Sequence, residues 1–193
     1  MKERDKVILT DCDGVLLNWE YAFITWMNRH GYTEVENGHV FYDIGDRYGI
    51  PKDEKTRLIK FFNESSAIGF LPPLRDAMYH VDKLHREHGF IFHCITSLSL
   101  EPTAQELRTA NLKKLFGETV FEKFIYLDTG ADKDEALAPY KDTGYLWLED
   151  KVENAQLGME LGLDSLLIEH GHNMHIRDIP LMKNWKDVYE YAV

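Results

Sequence analysis

Short apolar runs recur along the chain, separated by longer segments in which the apolar positions follow a helical repeat. Five runs are interpreted as buried strands, at residues 7–9, 90–95, 124–127, 145–148 and 166–168. Runs of this length without polar alternation are typical of strands covered on both faces, and helical segments between consecutive strands favour parallel pairing. The pattern therefore predicts an α/β fold with a parallel, doubly covered sheet.

Helical periodicity and end signals predict the covering helices. They are expected at residues 75–88, from residue 102 onward, and at residues 152–161 and 185–191. Glycine follows two of these segments and proline opens another, and these are the positions that the two residue types favour at helix ends. The alternation of helices and strands is thus that of a three-layer, Rossmann-like architecture.

The segment between the first two strands is too long for a simple crossover. Apolar residues recur at helical spacing across residues 19–31, and a second helix is predicted at residues 52–63. We therefore expect residues 1–17 and 71–193 to form the core of the protein. Residues 18–70 are expected to form a small helical cap, inserted after the first strand.

Two carboxylates follow the first predicted strand, in the run Asp11-Cys12-Asp13-Gly14-Val15. Because side chains alternate along an extended chain, Asp11 and Asp13 are expected on one side and Cys12 on the other, toward the core. Such a pair can bind a hard cation through oxygen. It can equally accept hydrogen bonds from an ordinary turn, and the triplet alone leaves both interpretations open.

Further polar residues lie at or near the ends of later strands. Thr96 and Ser97 end the second strand and Glu149-Asp150 the fourth, while Lys133 precedes a short helical segment. The hydroxyls could donate to phosphate oxygens, the ammonium could neutralise a phosphoryl group, and the carboxylates could bind magnesium. Taken singly, each is more often a helix cap, a solvent-facing lysine or an acidic helix start.

Charge and cysteine content indicate which partners and which cellular compartment the protein is expected to have. With 22 basic and 33 acidic residues, the net charge of −11 disfavours binding to a nucleic-acid polymer. Cys12 and Cys94 both lie in apolar runs, which indicates buried, inert thiols and a reducing cytoplasm. The sequence has neither an apolar signal region nor a segment of membrane length, so no membrane partner is expected.

The ordered set of motifs resembles that of the haloacid dehalogenase superfamily. Its four motifs are matched, in order, by Asp11-Cys12-Asp13-Gly14-Val15, Thr96, Lys133 and Glu149-Asp150. Within the superfamily the chain looks most like the 5′-nucleotidases of the deoxyribonucleotidase type. That likeness extends to Leu71-Pro72-Pro73, Asp132-Lys133, Asp150-Lys151, His172-Asn173 and Asn184-Trp185. It covers nearly the full length outside the cap, which matches in little beyond its length and an aromatic residue at Trp19.

The resemblance implies a sheet of order 3-2-1-4-5 and a magnesium-dependent phosphoric monoester hydrolase. Asp11 would be the covalent nucleophile and Asp13 the proton-transfer partner, with Thr96, Ser97 and Lys133 binding phosphate. Mg²⁺ would be held by Asp11, the main-chain carbonyl of Asp13 and Asp150, with Glu149 as a further candidate ligand. The substrate would be a small phosphorylated metabolite, and a (deoxy)ribonucleoside 5′-monophosphate is the leading expectation.

Alternatives remain at the level of substrate and of activity. Glu149 stands where these nucleotidases often carry aspartate, and a Glu-Asp pair is common in sugar-phosphate members, so a sugar-phosphate phosphatase or a phosphoglucomutase-like enzyme stays open. A non-catalytic binding protein with the same fold is a third possibility.

Trp19 could stack on a base or simply pack in a helix face. The histidines at 170, 172 and 175 are interpreted as a polar loop in preference to a zinc site. The sequence carries no indication of oligomeric state.

Overall fold

A parallel sheet forms the centre of the protein in the computed structural model, which describes residues 6–41 and 43–193. Within these residues its six strands are β1 (Val7–Thr10), β2 (Ile91–Ser97), β3 (Phe121–Leu127), β4 (Leu146–Glu149), β5 (Asp164–Ile168) and β6 (Leu181–Met182). They lie in the order β3-β2-β1-β4-β5-β6 and pair in parallel throughout. The predicted α/β fold and the order 3-2-1-4-5 are confirmed, and the two-residue β6 extends the edge.

Helices cover the sheet and fill the predicted insertion. They are α1 (Trp19–Arg29), α2 (Ile44–Tyr48), α3 (Lys52–Asn63), α4 (Ala77–His88), α5 (Pro102–Phe116), α6 (Asp134–Leu137), α7 (Val152–Glu160) and α8 (Trp185–Ala192). Short 3-10 turns lie at Gly38–Val40, Ser66–Phe70 and Ala138–Tyr140. No helix of the described chain is both long enough and apolar enough to cross a membrane.

The start of α4 corrects the helix predicted from residue 75. Arg75 has a φ of 43°, a left-handed conformation that cannot belong to a right-handed helix. Its guanidinium instead donates to the main-chain carbonyls of Lys183 and Glu169. The helix therefore begins at Ala77, and it ends at Gly89 in the left-handed cap that the sequence predicts.

Alternating strand residues supply the apolar layers on the two faces of the sheet. On β1, Ile8 packs in a cluster with Cys94 and Leu148, whereas Leu9 packs with Ile95 and Trp147 in a second cluster. All six side chains are fully buried. Burial on both faces explains why the strands are apolar without alternation.

The segment from residue 18 to residue 70 leaves and rejoins the core at one place. Leu17 bridges both Asp13 and Pro73, and the Asn18 amide donates to the Pro72 carbonyl at 2.9 Å. The segment holds α1, α2 and α3, and its buried apolar side chains belong to the same cluster as Ile8 of β1. The predicted division into core and cap stays a prediction, and residues 1–5 of that core lie outside the described residues.

Candidate active site

Three acidic side chains meet where β1 and β4 end. The two strands are neighbours, and the Asp11 amide donates to the Leu148 carbonyl at 2.8 Å just beyond the last paired residues. Carboxylate oxygens of Asp11, Glu149 and Asp150 all lie within 4.8 Å of one another. The chain thus concentrates negative charge at the switch point of the sheet, where ligands of open α/β sheets bind.

Lys133 supplies the positive charge of this cluster. Its ammonium lies 2.6 Å from Asp11 Oδ1 and 2.6 Å from Glu149 Oε1, and the side chain is only 3% exposed. Burial alone would lower the pKa of Lys133, but the two carboxylates outweigh it and raise that pKa above its usual value. The lysine therefore remains charged beside Asp11.

Glu149 is held by four donors. Its Oε1 accepts from Lys133 at 2.6 Å and from Asn154 Nδ2 at 2.7 Å, and its Oε2 accepts from the amides of Asp150 and Lys151 at 2.9 Å each. Burial would raise the pKa of Glu149, but Lys133 and these hydrogen bonds keep it below its usual value. With its oxygens occupied, this carboxylate is better placed to orient Lys133 than to bind a metal.

The carboxylates of Asp11 and Asp150 have less positive charge and fewer hydrogen-bond donors around them than Glu149 has. Burial, the largest cause, raises the pKa of Asp11 to about 7, the Lys133 charge counteracts part of the rise, and Glu149 adds to it. Burial and the charges of Glu149 and Asp11 likewise raise the pKa of Asp150. A hard divalent cation binds carboxylate oxygens and relieves such repulsion, so the donor set fits Mg²⁺.

Gly14 lies in the tight turn after β1, where the chain passes close to Asp150. Its φ of 75° favours glycine, and a Cβ at this position would lie 2.4 Å from Asp150 Oδ2. The Gly14 carbonyl accepts a hydrogen bond from His170 Nε2 at 2.7 Å. Only glycine therefore permits both the turn and the close approach of Asp150.

Arg108 is the principal site residue that the sequence analysis missed. It lies on α5, and its Nη1 donates to Asp13 Oδ1 at 2.6 Å and to Cys12 Sγ at 2.9 Å. Cys12 is fully buried, on the core side that alternation predicts. Ala104, Arg108 and Leu112 form a buried stripe at helical spacing, so a charged residue within an apolar stripe was the available signal.

The two hydroxyl residues differ in their environments. Thr96 is 1% exposed and borders the cavity beside the acidic cluster. The Ser97 hydroxyl donates to the Ala131 carbonyl at 2.8 Å, within the loop that leads to Lys133. Both residues therefore border the cavity, and Ser97 uses its proton to fix the neighbouring loop.

The three histidines do not form one site. His170 and His172 line the cavity with their rings 5.6 Å apart, whereas His175 is exposed. His172 Nε2 and Asn173 Nδ2 both donate to the Asp150 carbonyl, at 3.0 and 2.9 Å. Within the described chain, the acidic group that could hold a metal includes no histidine. The loop thus supports the turn after β4.

A cavity of about 690 Å³ lies between the strand ends and the helical insertion. Trp19 borders it, stacked on Phe23 with 4.7 Å between ring centroids, and Trp19 Nε1 donates to Asn63 Oδ1 at 3.0 Å. Asn63 in turn donates to the Leu98 carbonyl at 3.1 Å. The insertion therefore forms one wall of the cavity and is anchored to the loop after β2.

Comparison with curated proteins gives one distant relationship. An uncharacterised 32.4 kDa protein of Enterobacteria phage T4 is 25% identical over 140 residues, which are 70% of this chain and 49% of the phage protein. The match thus spans about half the length of that relative. No protein-family model matches the chain.

Solved structures share the fold across nearly the whole chain. A predicted phosphoglycolate phosphatase from Haemophilus somnus has a TM-score of 0.66 at 11% identity, with both chains covered fully. CbbY from Rhodobacter sphaeroides, in complex with phosphate, has a TM-score of 0.58 at 16% identity over 93% of this chain and 94% of its own. The HAD-hydrolase YfnB from Bacillus subtilis, bound to magnesium, has a TM-score of 0.62 at 14% identity over 98% and 99%. The strand order, the acidic switch point and these similarities together establish that the chain has the fold of haloacid dehalogenase-like hydrolases.

Proposed function

We propose that the protein is a magnesium-dependent phosphomonoester hydrolase in which Asp11 is the nucleophile. The observation that carries the proposal is the position of the Asp11 carboxylate at the floor of the cavity, 2.6 Å from the Lys133 ammonium and beside Asp150. An anionic nucleophile can approach an anionic phosphate only if positive charge is held at the same point. At 4 Å, the repulsion of two unit charges costs about 4 kcal/mol at an effective dielectric near 20.

The proposed reaction has two chemical steps. An Asp11 oxygen attacks phosphorus, forming an Asp11–phosphate bond as the bond from phosphorus to the leaving oxygen breaks. Asp13 donates a proton to that leaving oxygen and later takes a proton from the water that attacks the aspartyl-phosphate. Phosphate is released, and both aspartates return to their starting states.

Other residues hold the phosphoryl group and its charge. Lys133, oriented by Glu149, faces the oxygens that gain charge during transfer, and Thr96 supplies a hydroxyl donor. The role of Ser97 is to fix the loop that carries Lys133. Mg²⁺, held by Asp11, the Asp13 main-chain carbonyl and Asp150, would neutralise charge between nucleophile and phosphate.

Magnesium and phosphate occur in two of the proteins that share the fold. YfnB is bound to magnesium, and CbbY is in complex with phosphate. These observations support the cation and the class of substrate proposed here. The phosphatase described for Haemophilus somnus is consistent with the same reaction.

The charges of the helical insertion favour a substrate with a single phosphate. Arg47 is paired with Glu20 at 2.5 Å and with Glu34 at 2.9 Å, and Lys55 is paired with Asp43 at 2.5 Å. A second phosphate could pair with Arg47 or Lys55 only by displacing one of these carboxylates. With Trp19 in the same wall, a nucleoside 5′-monophosphate fits this composition.

A sugar-phosphate phosphatase is the second candidate. A mutant of CbbY has been crystallised in complex with xylulose-1,5-bisphosphate, so a protein that shares this fold binds a sugar phosphate. The two candidates share the chemistry at Asp11 and differ in contacts to the leaving group. A comparison of kcat/KM for nucleoside monophosphates and sugar phosphates distinguishes the two candidates.

The Asp11→Asn variant tests the proposed reaction. It retains the size of the side chain but removes the nucleophile, so magnesium-dependent release of phosphate from 4-nitrophenyl phosphate should fall at least about 1,000-fold. Asp82→Asn, on α4 outside the cavity, is the matched control and should keep full activity. Activity of the Asp11→Asn variant close to that of the wild type would overturn the proposal, as would a wild-type protein inactive toward all phosphomonoesters.

The Trp19→Ala variant tests the preference for nucleotides. Stacking on a base contributes about 1–3 kcal/mol, equivalent to about fivefold to 150-fold in affinity. The variant should lose that factor in kcat/KM for thymidine 5′-monophosphate and little for glucose 6-phosphate. Trp26→Ala is the control, because Trp26 lies on the same helix but does not border the cavity. An equal loss for both substrates would favour the sugar-phosphate candidate.

A further inference from the structure

The strongest unassigned feature is the buried guanidinium of Arg108, directly behind Asp13. Asp13 borders the cavity and its side chain is 22% exposed, whereas Arg108 is fully buried and does not border the cavity. A substrate in the cavity can thus reach Asp13 but not Arg108. Any influence of Arg108 on the reaction must act through Asp13.

The contacts of Arg108 are aimed at one oxygen of the carboxylate. Nη1 lies 2.6 Å from Oδ1, whereas Nη2 lies 3.4 Å from Oδ2, near the limit of a hydrogen bond. Oδ1 is therefore fixed, and Oδ2 keeps most of its capacity to carry or accept a proton. The second contact of Nη1, to Cys12 Sγ at 2.9 Å, fixes the guanidinium against the chain between the two aspartates.

Stability alone explains this arrangement poorly. Arg108 Nε is also buried, and it makes no hydrogen bond to the described residues. A buried ion pair is often no more stabilising than well-packed apolar residues, and an unpaired buried donor adds a cost. The guanidinium is thus retained at a position where packing would favour an apolar side chain such as Met or Leu.

We propose that Arg108 is a positioning residue that holds the Asp13 carboxylate so that Oδ2 exchanges the proton with the leaving oxygen and with water. In the first step, the proton on Oδ2 passes to the leaving oxygen as its bond to phosphorus breaks. In the second, attacking water returns a proton to Oδ2 as its oxygen bonds to phosphorus and Asp11 is released. This inference rests on the proposed function and adds a residue outside the cavity to it.

The dependence on leaving group tests this role. Thymidine 5′-monophosphate and glucose 6-phosphate release alkoxides, which need a proton, whereas 4-nitrophenyl phosphate releases a stabilised phenolate that does not. Displacing Asp13 should lower kcat/KM, which reports the first step, by about tenfold to 100-fold more for the alkyl phosphates than for the aryl phosphate. KM for the alkyl phosphates should change little, because Arg108 does not contact substrate.

Two variants and two references make the test specific. Arg108→Gln removes the charge, and Arg108→Lys keeps it without the forked geometry, so the lysine variant should recover part of the loss and guards against misfolding of the first. Asp13→Asn should show the same difference between substrates. Asn111→Ala is the control, because Asn111 is buried on the same helix and bonds to the Leu71 carbonyl, away from Asp13.

The outcomes separate this inference from the proposed function. The positioning role is supported if Arg108→Lys lowers kcat/KM selectively on alkyl phosphates and causes no further loss in a protein that already carries Asp13→Asn. Equal losses of kcat/KM on aryl and alkyl phosphates in Arg108→Lys, or additive losses in the double variant, overturn it while the phosphatase assignment stands. A wild-type protein inactive toward both kinds of substrate refutes the proposed function itself.

Discussion

Among single residues, the carboxylates around Lys133 differ in how far hydrogen bonds and positive charge offset their negative charge. Glu149 accepts four hydrogen bonds and Asp13 is paired with Arg108, but Asp11 shares the single ammonium of Lys133 with Glu149. The excess negative charge therefore falls on Asp11 and Asp150. These are the residues whose pKa values are raised, and they are the proposed ligands of the cation.

The raised pKa of Asp11 predicts a pH-dependent response to magnesium. With a pKa of about 7 in the folded protein and 3.8 as its ordinary value, Asp11 binds more protons in the folded than in the unfolded state between about pH 4 and 7. Its contribution to stability without a divalent cation therefore falls as pH rises through this range. Magnesium must displace that proton, so the rise in Tm on adding magnesium should be larger at pH 8 than at pH 5.

Thermal unfolding with and without magnesium chloride, at several pH values, measures this effect. The Asp11→Asn variant is the reference, because it lacks the titrating group and should show a smaller and flatter response. A magnesium-induced shift in Tm that is constant, or that decreases from pH 5 to pH 8, would contradict the assignment of Asp11 as a ligand.

Residue types alone could not distinguish these carboxylates. Asp11 and Asp150 lie at adjacent strand ends, as the predicted strand order implies. The four donors to Glu149 were not predictable, since two of them are main-chain amides after the strand. The contact of Arg108 with Asp13 was not predicted for a related reason, because a charged helix residue is ordinarily expected to face solvent.

Among the secondary-structure elements, the turn after β1 lies against the proposed metal ligand Asp150. Gly14 and Gly144 both have positive φ, at 75° and 67°, but only a Cβ on Gly14 would meet Asp150, since nothing lies within 4 Å of one on Gly144. Gly14→Ala and Gly144→Ala should each lose about 1–2 kcal/mol of stability from the left-handed conformation. Gly14→Ala alone should also lose magnesium affinity, because Asp150 must move.

Titration calorimetry with magnesium and thermal unfolding of both variants check this prediction. Gly144→Ala serves as the matched control for the conformational cost. Unchanged magnesium affinity in a folded Gly14→Ala protein would show that the close approach of Asp150 has no role in binding the cation.

Element length decided which parts of the fold were predictable. The predicted helix at residues 52–63 coincides with α3, and all five predicted strands are present. The five-residue α2 and the two-residue β6 were missed, because neither is long enough to display a repeat. The start of α4 was predicted two residues too early for a different reason, because Arg75 donates to main-chain carbonyls that are distant in sequence.

Across the molecule, the fold and the residues gathered at the strand ends were more predictable than the wall of the cavity. The motifs at the strand ends depend on local sequence and on strand order, and both follow from apolar patterning and the resemblance to the superfamily. The wall of the cavity depends instead on how the insertion folds against the core. Its ion pairs join residues far apart in sequence, such as Glu20 and Arg47, which no local pattern connects.

The apolar cluster shared by the insertion and the core limits how this protein could be redesigned. Phe23 and Phe62 of the insertion are fully buried in one continuous cluster with Leu17 and Leu98 of the core. A segment transplanted from another protein of this fold would bring a new cavity wall but would leave these core side chains facing mismatched partners. Substrate range should therefore be altered by point substitutions on the cavity side of α1 and α3, with the buried aromatic residues kept in place.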